Sequence, residues 1–136
     1  MKKQVLEYLK KRSILAMDIG DEVLDPDDDF PVFAARAVAA IKTSHDNDAR
    51  ALLICGSGQG MIMAANRFHG IRAGLGWSVE AAEGIRNDED ANVMALPSHT
   101  LHNNPQLAHA IIDAFLETTF AAAPRYKRRN RELDEL

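Results

Sequence analysis

Apolar and polar residues follow one another along this chain in blocks whose lengths and periods predict alternating helices and strands. Apolar residues that recur every three or four positions predict a helix, whereas a short continuous apolar run predicts a buried strand. These patterns predict helices over residues 1–12, 31–41, 61–67, 77–87 and 103–120, and strands over residues 13–19, 51–54, 70–76 and 91–96. Because strands and helices alternate, we predict an α/β domain with a mostly parallel sheet between layers of helices.

The first predicted helix lacks a start signal. Val5, Leu6 and Leu9 fall on one face of it, which predicts a helix packed on a core. No serine, threonine, aspartate or asparagine precedes it to accept hydrogen bonds from its first N–H groups. The helix therefore begins as though in the middle of an element.

The size and charge of the chain narrow the class of protein. Its 136 residues are enough for a single domain, 1–136, with a core of its own. The net charge of −4 argues against general nucleic-acid binding, and no apolar run reaches the roughly 18 residues that a membrane span needs. A single cysteine cannot form an internal disulfide, so we expect a cytoplasmic protein. From its charge and its short apolar runs we expect it to bind neither nucleic acid nor membrane.

One stretch carries the candidate chemistry. The apolar run 52–54 leads through Cys55 and three glycines into a helix-forming segment. Glycines let the backbone turn tightly and approach a ligand, and the free N–H groups of a first helical turn attract negative charge. Cys55 would lie at the carboxyl end of its strand, where open α/β sheets hold their ligands. The spacing is neither the dinucleotide fingerprint nor the Walker loop, so a tight connection without a ligand is the alternative.

Other polar segments have plainer interpretations. The acidic residues of 21–29 fit a solvated loop, because the alternating ligands and closing glutamate of a calcium loop are missing. The C-terminal basic segment 124–136 fits either a solvated, charge-paired helix or a site where one or two arginines bind a phosphate. None of the histidines shows metal-ligand spacing, so we expect no metal site and assign surface or structural roles to His45, His69, His99, His102 and His109.

Several motifs together identify a family. They are CGSGQGM, AAN, GIRA, DANV and a closing group of arginines, at residues 55–61, 64–66, 70–73, 90–93 and 125–129. With these motifs the chain resembles the type B ribose-5-phosphate isomerases and the galactose-6-phosphate isomerase subunits, from about residue 1 to residue 129. The resemblance implies a Rossmann-like three-layer α/β/α fold and a dimer or tetramer with sites between subunits. It also implies aldose–ketose isomerisation of a sugar phosphate without a metal or organic cofactor.

The resemblance implies a role for each matching residue. Cys55 corresponds to the base that moves a proton between C1 and C2 of the open-chain sugar. Ser57, the second catalytic residue implied, stands where many members have threonine and retains the hydroxyl. The substrate-binding residues implied are Gly56, Gly58, Gln59 and Gly60 of the loop, Asn66 after the loop helix, and Arg125 and Arg129 around the phosphate. In some members the arginines come from the neighbouring subunit. Fixed N–H donors suit this chemistry because they stabilise the enediolate where its charge develops.

The chain departs from the family in three respects. Asp88 and Glu89 stand where many members have a histidine and an asparagine, which removes the ring-opening histidine; Asp88 is either a substitute acid or base or an exposed turn residue. Phe30 and Phe33 replace tyrosines, which removes hydroxyl groups near the site. The family's first strand and its G-x-D-H-x-G loop have no counterpart, so we expect either a reading frame that starts upstream or the loss of an interior strand.

Two hypotheses follow from these residues. The first is a sugar-phosphate aldose–ketose isomerase, most simply of ribose 5-phosphate, that uses Cys55 as its base and 56–60 as its anion hole. The second is a non-catalytic or half-site subunit that binds a sugar phosphate within a homo- or hetero-oligomer. In a hetero-oligomer the partner would supply the missing acid and histidine.

Overall fold

Seven helices and three strands form the part of the chain that the structure, a computed structural model, describes: residues 1–23 and 25–136. The strands are β1 Ala51–Cys55, β2 Ala73–Leu75 and β3 Val93–Pro97. The helices are α1 Lys2–Lys11, α2 Phe30–Thr43, α3 Gln59–Ala65, α4 Val79–Asn87, α5 Ser98–Leu101, α6 Pro105–Glu117 and α7 Pro124–Asp134. Helices and strands alternate from α2 to α5, which confirms the alternation predicted from the sequence.

The three strands form one parallel sheet in the order β1-β3-β2. Ala51 pairs with Val93 and Cys55 pairs with Pro97, while β2 joins the other side of β3 from Ala73 onwards. β3 is therefore the middle strand, and all five of its residues are buried. A strand that is covered on both faces has no need of alternating polar residues, which explains its apolar sequence.

Helices cover both faces of the sheet and give the predicted three-layer α/β/α arrangement. Along β1, Leu52 and Ile54 pack against a core that includes residues of α1, α4 and α6, whereas Leu53 packs against a core from α2 and α3. The two cores separate in this way because successive side chains of a strand point to opposite faces. Each fully buried Leu, Ile or Phe contributes about 1.5–3 kcal/mol to the stability of these layers.

The predicted strand over residues 13–19 is wrong. This segment pairs with no strand among the described residues, and its Leu15 and Met17 side chains are 100% and 73% exposed. Only Ile14 and Ile19 pack against the two cores. An apolar run becomes a strand only where a neighbouring strand offers backbone donors and acceptors, and in the described sheet β1 pairs with β3 alone.

The helix ends follow local capping chemistry. α1 begins without a side-chain cap, as its sequence predicts, and Val5 and Leu9 are its buried residues. The helix predicted over 103–120 is shorter and starts at Pro105, where the side chain of Asn104 accepts a hydrogen bond from the Leu107 N–H at 3.1 Å. An asparagine at this position satisfies one of the free N–H groups of the first turn.

In residues 1–23 and 25–136, no helix is long and apolar enough to cross a bilayer. The same residues contain no group of three histidine, cysteine, aspartate or glutamate side chains placed to hold a metal ion.

Candidate active site

The loop between β1 and α3 has the strand–loop–helix geometry that the sequence predicts. Cys55 is the last residue of β1 and is half-buried. Gly58 has a φ of 78°, in the left-handed region, and is the N-cap of α3, which starts at Gln59. The Gln59 N–H is 3.4 Å from the Ser57 hydroxyl oxygen that accepts from it. The loop therefore turns sharply and presents a helix N-terminus beside the thiol, as an oxyanion site requires.

Gly58 cannot be replaced without strain, because two constraints apply to it together. Its φ of 78° is costly for any residue with a Cβ. A Cβ added there would also lie 2.6 Å from the Leu75 side chain and 3.4 Å from Ala95. The loop thus rests directly on β2 and β3, and its conformation is fixed by the sheet beneath it.

His99 lies against the opposite end of the same loop. A Cβ added to Gly56 would fall 2.7 Å from Cε1 and 2.9 Å from Nε2 of the imidazole, so the ring packs directly on the Gly56 backbone. The His99 N–H also donates to the Gly56 carbonyl at 3.0 Å. His99 follows Pro97 by two residues, and Pro97 pairs with Cys55, so the register of two neighbouring strands brings this histidine to the loop.

The sequence predicts a surface or structural role for His99 and does not reveal this position beside the loop. The side chain is exposed, yet it lies at the carboxyl edge of the sheet against Gly56, the residue after Cys55. The sequence does place His99 just after a predicted strand. Because the carboxyl ends of parallel strands meet along one edge of the sheet, that location could have indicated a residue near the loop. Its imidazole can both donate and accept hydrogen bonds there.

Phe30 forms a second wall of the loop. Its Cζ and Cε2 atoms would lie 2.8 and 2.9 Å from a Cβ on Gly60, so the tip of the ring points at the first turn of α3. The side chain is nevertheless 42% exposed. The loop is therefore flanked by one imidazole and one phenyl ring, both open to solvent.

Asn66 lies away from the thiol. It is the C-cap of α3, and its side-chain amide donates to the Ala73 carbonyl at 3.0 Å and accepts from the Ala73 N–H at 2.8 Å. Ala73 is the first residue of β2, at the amino edge of the sheet. Both groups of the amide thus bond to the backbone, so the observed function of Asn66 is to join α3 to β2. Its role in substrate binding stays a prediction.

Asp88 and Arg125 lie together at the amino edge of the sheet. Asp88 is the C-cap of α4 and accepts a hydrogen bond from the Asn87 side chain at 2.6 Å. Arg125 donates to the Tyr126 hydroxyl at 2.7 Å, and this bond, with a smaller attraction from Asp88, raises the pKa of Arg125. Arg129, one turn further along α7, is exposed. Asp88 lies in the turn after α4 and is half-buried, and its role as a substitute acid or base stays a prediction.

α7 is held at this edge by a group of charged contacts. Arg72, which precedes β2, donates to both carboxylate oxygens of Asp134 at 2.9 and 3.0 Å and to the Asp90 carbonyl. Asp90 also accepts from Arg86 at 2.9 Å. Burial lowers the pKa of Arg86, although the nearby carboxylate opposes that change. These contacts fix the helix that carries Arg125 and Arg129.

The predicted site residues therefore divide into two groups within one chain. Cys55 and the glycine loop lie at the carboxyl edge of the sheet, whereas Asp88 and the α7 segment that contacts it lie at the amino edge. The five residues of β1 separate these edges by about 13 Å at the usual rise of a strand. The structure brings Gly56, Ser57, Gly58, Gln59 and Gly60 around Cys55, but it does not bring the arginines to them.

Comparisons with known proteins agree with the motifs. The family model described as Ribose/Galactose Isomerase matches residues 1–133. A ribose-5-phosphate isomerase B of Mycolicibacterium paratuberculosis is 36% identical over 129 residues, which cover 95% of this chain and 79% of that protein. A 4-deoxy-4-sulfo-D-erythrose isomerase of Clostridium sp. is 38% identical over 96 residues, which cover 71% of this chain and 59% of that protein.

Comparison of the fold with solved structures indicates the same family. The crystal structure of a ribose 5-phosphate isomerase from Thermotoga maritima superposes with a TM-score of 0.91 at 35% identity, covering 99% of this chain and 89% of that one. A similarity of this extent includes all three layers and the glycine loop. The chain therefore belongs to the Ribose/Galactose Isomerase family of aldose–ketose isomerases.

Proposed function

We propose that this protein isomerises an aldose phosphate to the ketose phosphate, with ribose 5-phosphate as the first candidate substrate and ribulose 5-phosphate as product. The observation that carries the proposal is the half-buried Cys55 at the end of β1, followed at once by a glycine loop that opens α3. This arrangement sets a proton acceptor beside fixed N–H donors, which is the combination that an enediolate intermediate needs.

In this mechanism Cys55, as the thiolate, takes the proton from C2 of the open-chain aldose. The resulting enediolate is stabilised by N–H groups of residues 56–60 and by the Ser57 hydroxyl. The hydroxyl proton passes from O2 to O1, and the thiol returns the proton taken from C2 to C1, which gives the ketose and restores the thiolate. No organic cofactor or metal is needed, because the carbonyl of the sugar itself accepts the charge.

We further propose that a second copy of the chain completes the site in a homodimer or tetramer of the cytoplasm. Arg125 and Arg129 are the proposed phosphate-binding residues, yet α7 packs near the amino edge of its own sheet, about 13 Å from the thiol edge. A neighbouring copy can offer the same arginines to the loop. Bidentate arginine contacts would then hold the phosphate and orient the reacting carbons.

A four-carbon substrate is a second candidate, and a specific observation favours it. By the family resemblance, Asp88 and Glu89 occupy the positions where many relatives have the ring-opening histidine and an asparagine. A tetrose whose C4 carries a phosphate or sulfonate has no free O4 to close a five-membered ring, so it needs no ring opening. One relative, the isomerase from Clostridium sp., is named for such a substrate.

The test is an isomerisation panel on the 136-residue chain. Ribose 5-phosphate, galactose 6-phosphate and erythrose 4-phosphate are each incubated with the protein and with its Cys55→Ala variant, and the ketose is measured. Turnover by the parent chain and its loss in Cys55→Ala support the proposal. Binding of a sugar phosphate without any turnover would instead support the non-catalytic subunit, and normal turnover by Cys55→Ala would exclude Cys55 as the base.

A further inference from the structure

The imidazole of His99 meets the glycine loop with the face of its ring. Its Cε1, Nε2 and Nδ1 atoms lie 2.7, 2.9 and 3.4 Å from the point where a Cβ on Gly56 would stand. An edge-on contact through Cε1 would leave both nitrogens much further from that point than Cε1 is. Because an imidazole makes its hydrogen bonds in the plane of the ring, the contact with Gly56 leaves both nitrogens open to a group bound on the loop.

The ring nitrogens of His99 are unoccupied, although its backbone is fixed. In the hydrogen bonds among residues 1–23 and 25–136 neither nitrogen takes part, whereas Nδ1 of His102 is 3.0 Å from the Ser98 carbonyl oxygen. The His99 residue is exposed, and its N–H donates to the Gly56 carbonyl at 3.0 Å. An anchored backbone thus holds a side chain that is able to exchange protons beside the loop.

The thiol and the imidazole lie on two sides of the start of the loop. Cys55 ends β1 and packs with the core that includes residues of α2 and α3. Successive side chains of an extended chain point to opposite sides, so the Cβ position of Gly56, which the His99 ring covers, faces away from the thiol. A sugar held over the first peptide of the loop therefore has Cys55 on one side and His99 on the other.

We propose that His99 is a catalytic residue that carries the hydroxyl proton of the isomerisation from O2 to O1. The protonated imidazole gives a proton to O1 while the Cys55 thiolate takes the proton from C2. The neutral ring then takes the proton of the O2 hydroxyl as the thiol protonates C1, which restores both groups. This inference rests on the proposed function and adds to it the group that moves the second proton.

The first experiment is the rescue of His99→Ala by free imidazole. The kcat/KM for ribose 5-phosphate is measured for the parent chain, His99→Ala and His102→Ala, with and without imidazole. We expect about 0.1 M imidazole to raise kcat/KM of His99→Ala about tenfold, a partial recovery because the free ring is not held in place. The parent chain and His102→Ala should not respond. No rescue, or an equal increase in all three proteins, would overturn proton transfer by His99.

A second measurement separates the proton that His99 moves from the one that Cys55 moves. In D2O, exchange of the C2 hydrogen of ribose 5-phosphate is followed by NMR together with ketose formation. In His99→Ala the enediolate lacks the group that protonates O1 and returns more often to the aldose, so we expect the ratio of exchange to isomerisation to rise about tenfold. Cys55→Ala should lose both reactions.

The failures of the two proposals give different results in this assay. An unchanged ratio in His99→Ala, with isomerisation by the parent chain, overturns the role of His99 and leaves the isomerase proposal intact. A parent chain that neither exchanges the C2 hydrogen nor forms the ketose overturns both.

Discussion

The imidazole of His99 packs on the backbone of Gly56, and the His99 N–H donates to the Gly56 carbonyl at 3.0 Å. We predict that Gly56→Ala separates the two residues, because the added methyl group would lie 2.7 Å from the ring. The exposed ring is free to rotate away, so the fold should persist while kcat/KM falls by about tenfold or more. The circular dichroism spectrum should stay that of the parent chain. Unchanged kinetics would show that the position of His99 does not affect the site.

The His99 side chain itself should contribute to turnover. We expect His99→Ala to lower kcat/KM by about 10- to 100-fold. A hydrogen bond from the imidazole to the charged enediolate would contribute about 1.5–3 kcal/mol. His102→Ala is the matched control, because its ring bonds to the Ser98 carbonyl at 3.0 Å instead of the loop. Equal effects of the two substitutions would argue for a loss of helix structure in α5 rather than a role at the site.

Gly58 should be intolerant of any side chain. Gly58→Ala combines a left-handed φ of 78° with a methyl group 2.6 Å from Leu75, and we predict a loss of about 1–3 kcal/mol in the free energy of unfolding by urea. Gly84→Ala is the control, since Gly84 lies within α4 and an added Cβ meets no atom within 4 Å. That substitution should stabilise the protein by about 0.5–1 kcal/mol. An unchanged free energy of unfolding in Gly58→Ala would contradict the left-handed conformation of the loop at this residue.

A site shared between two copies predicts complementation. Arg129→Ala should weaken sugar-phosphate binding by about 1–3 kcal/mol, and Cys55→Ala should abolish turnover. If each site takes its cysteine from one chain and its arginine from another, mixed dimers of the two variants hold one intact site and one doubly defective site. Random mixing should then restore about a quarter of the parent activity. No recovery after subunit exchange would assign both residues to one chain.

The ion pair between Asp48 and Arg50 predicts a dependence of stability on pH. Hydrogen bonds from Arg50 hold the pKa of Asp48 below its usual value, and Arg50 also donates to the Phe115 and Leu116 carbonyls at the end of α6. Because the folded state lowers this pKa, the pair stabilises the protein above the usual aspartate pKa of about 4 and ceases to do so as the carboxylate is protonated below it.

The size of that effect is small because Asp48 is largely exposed. We expect Asp48→Asn to cost about 0.5 kcal/mol at pH 7, measured by urea unfolding, and almost nothing at pH 2–3. Asp46→Asn serves as a control on the same turn, since its carboxylate accepts from the Asp48 N–H rather than from an arginine. A difference that persists at low pH would assign the effect to packing instead of charge.

The sequence predicted those features that depend on short stretches of chain. Three glycines after an apolar run suffice to predict a strand, a turn and a helix in succession around Cys55, because that order is read from adjacent residues. Residues 13–19 have an equally apolar pattern, but a strand also needs a partner, which no local pattern reveals. The position of His99 could not be predicted for the same reason, since only the pairing of Cys55 with Pro97 shows that it lies beside the loop. The position of Arg125 likewise depends on how α7 packs.

The strand order has a consequence for how the protein is made. β1 and β2 do not touch each other, and both pair only with β3, the last strand of the described sheet to leave the ribosome. No part of this sheet can therefore assemble before residues 93–97 have been synthesised, and its pairings close loops of tens of residues at once. A nascent chain that stalls earlier contains Cys55 and the glycine loop but not the paired strands that hold them in place. The sheet and the site therefore form together, late in synthesis.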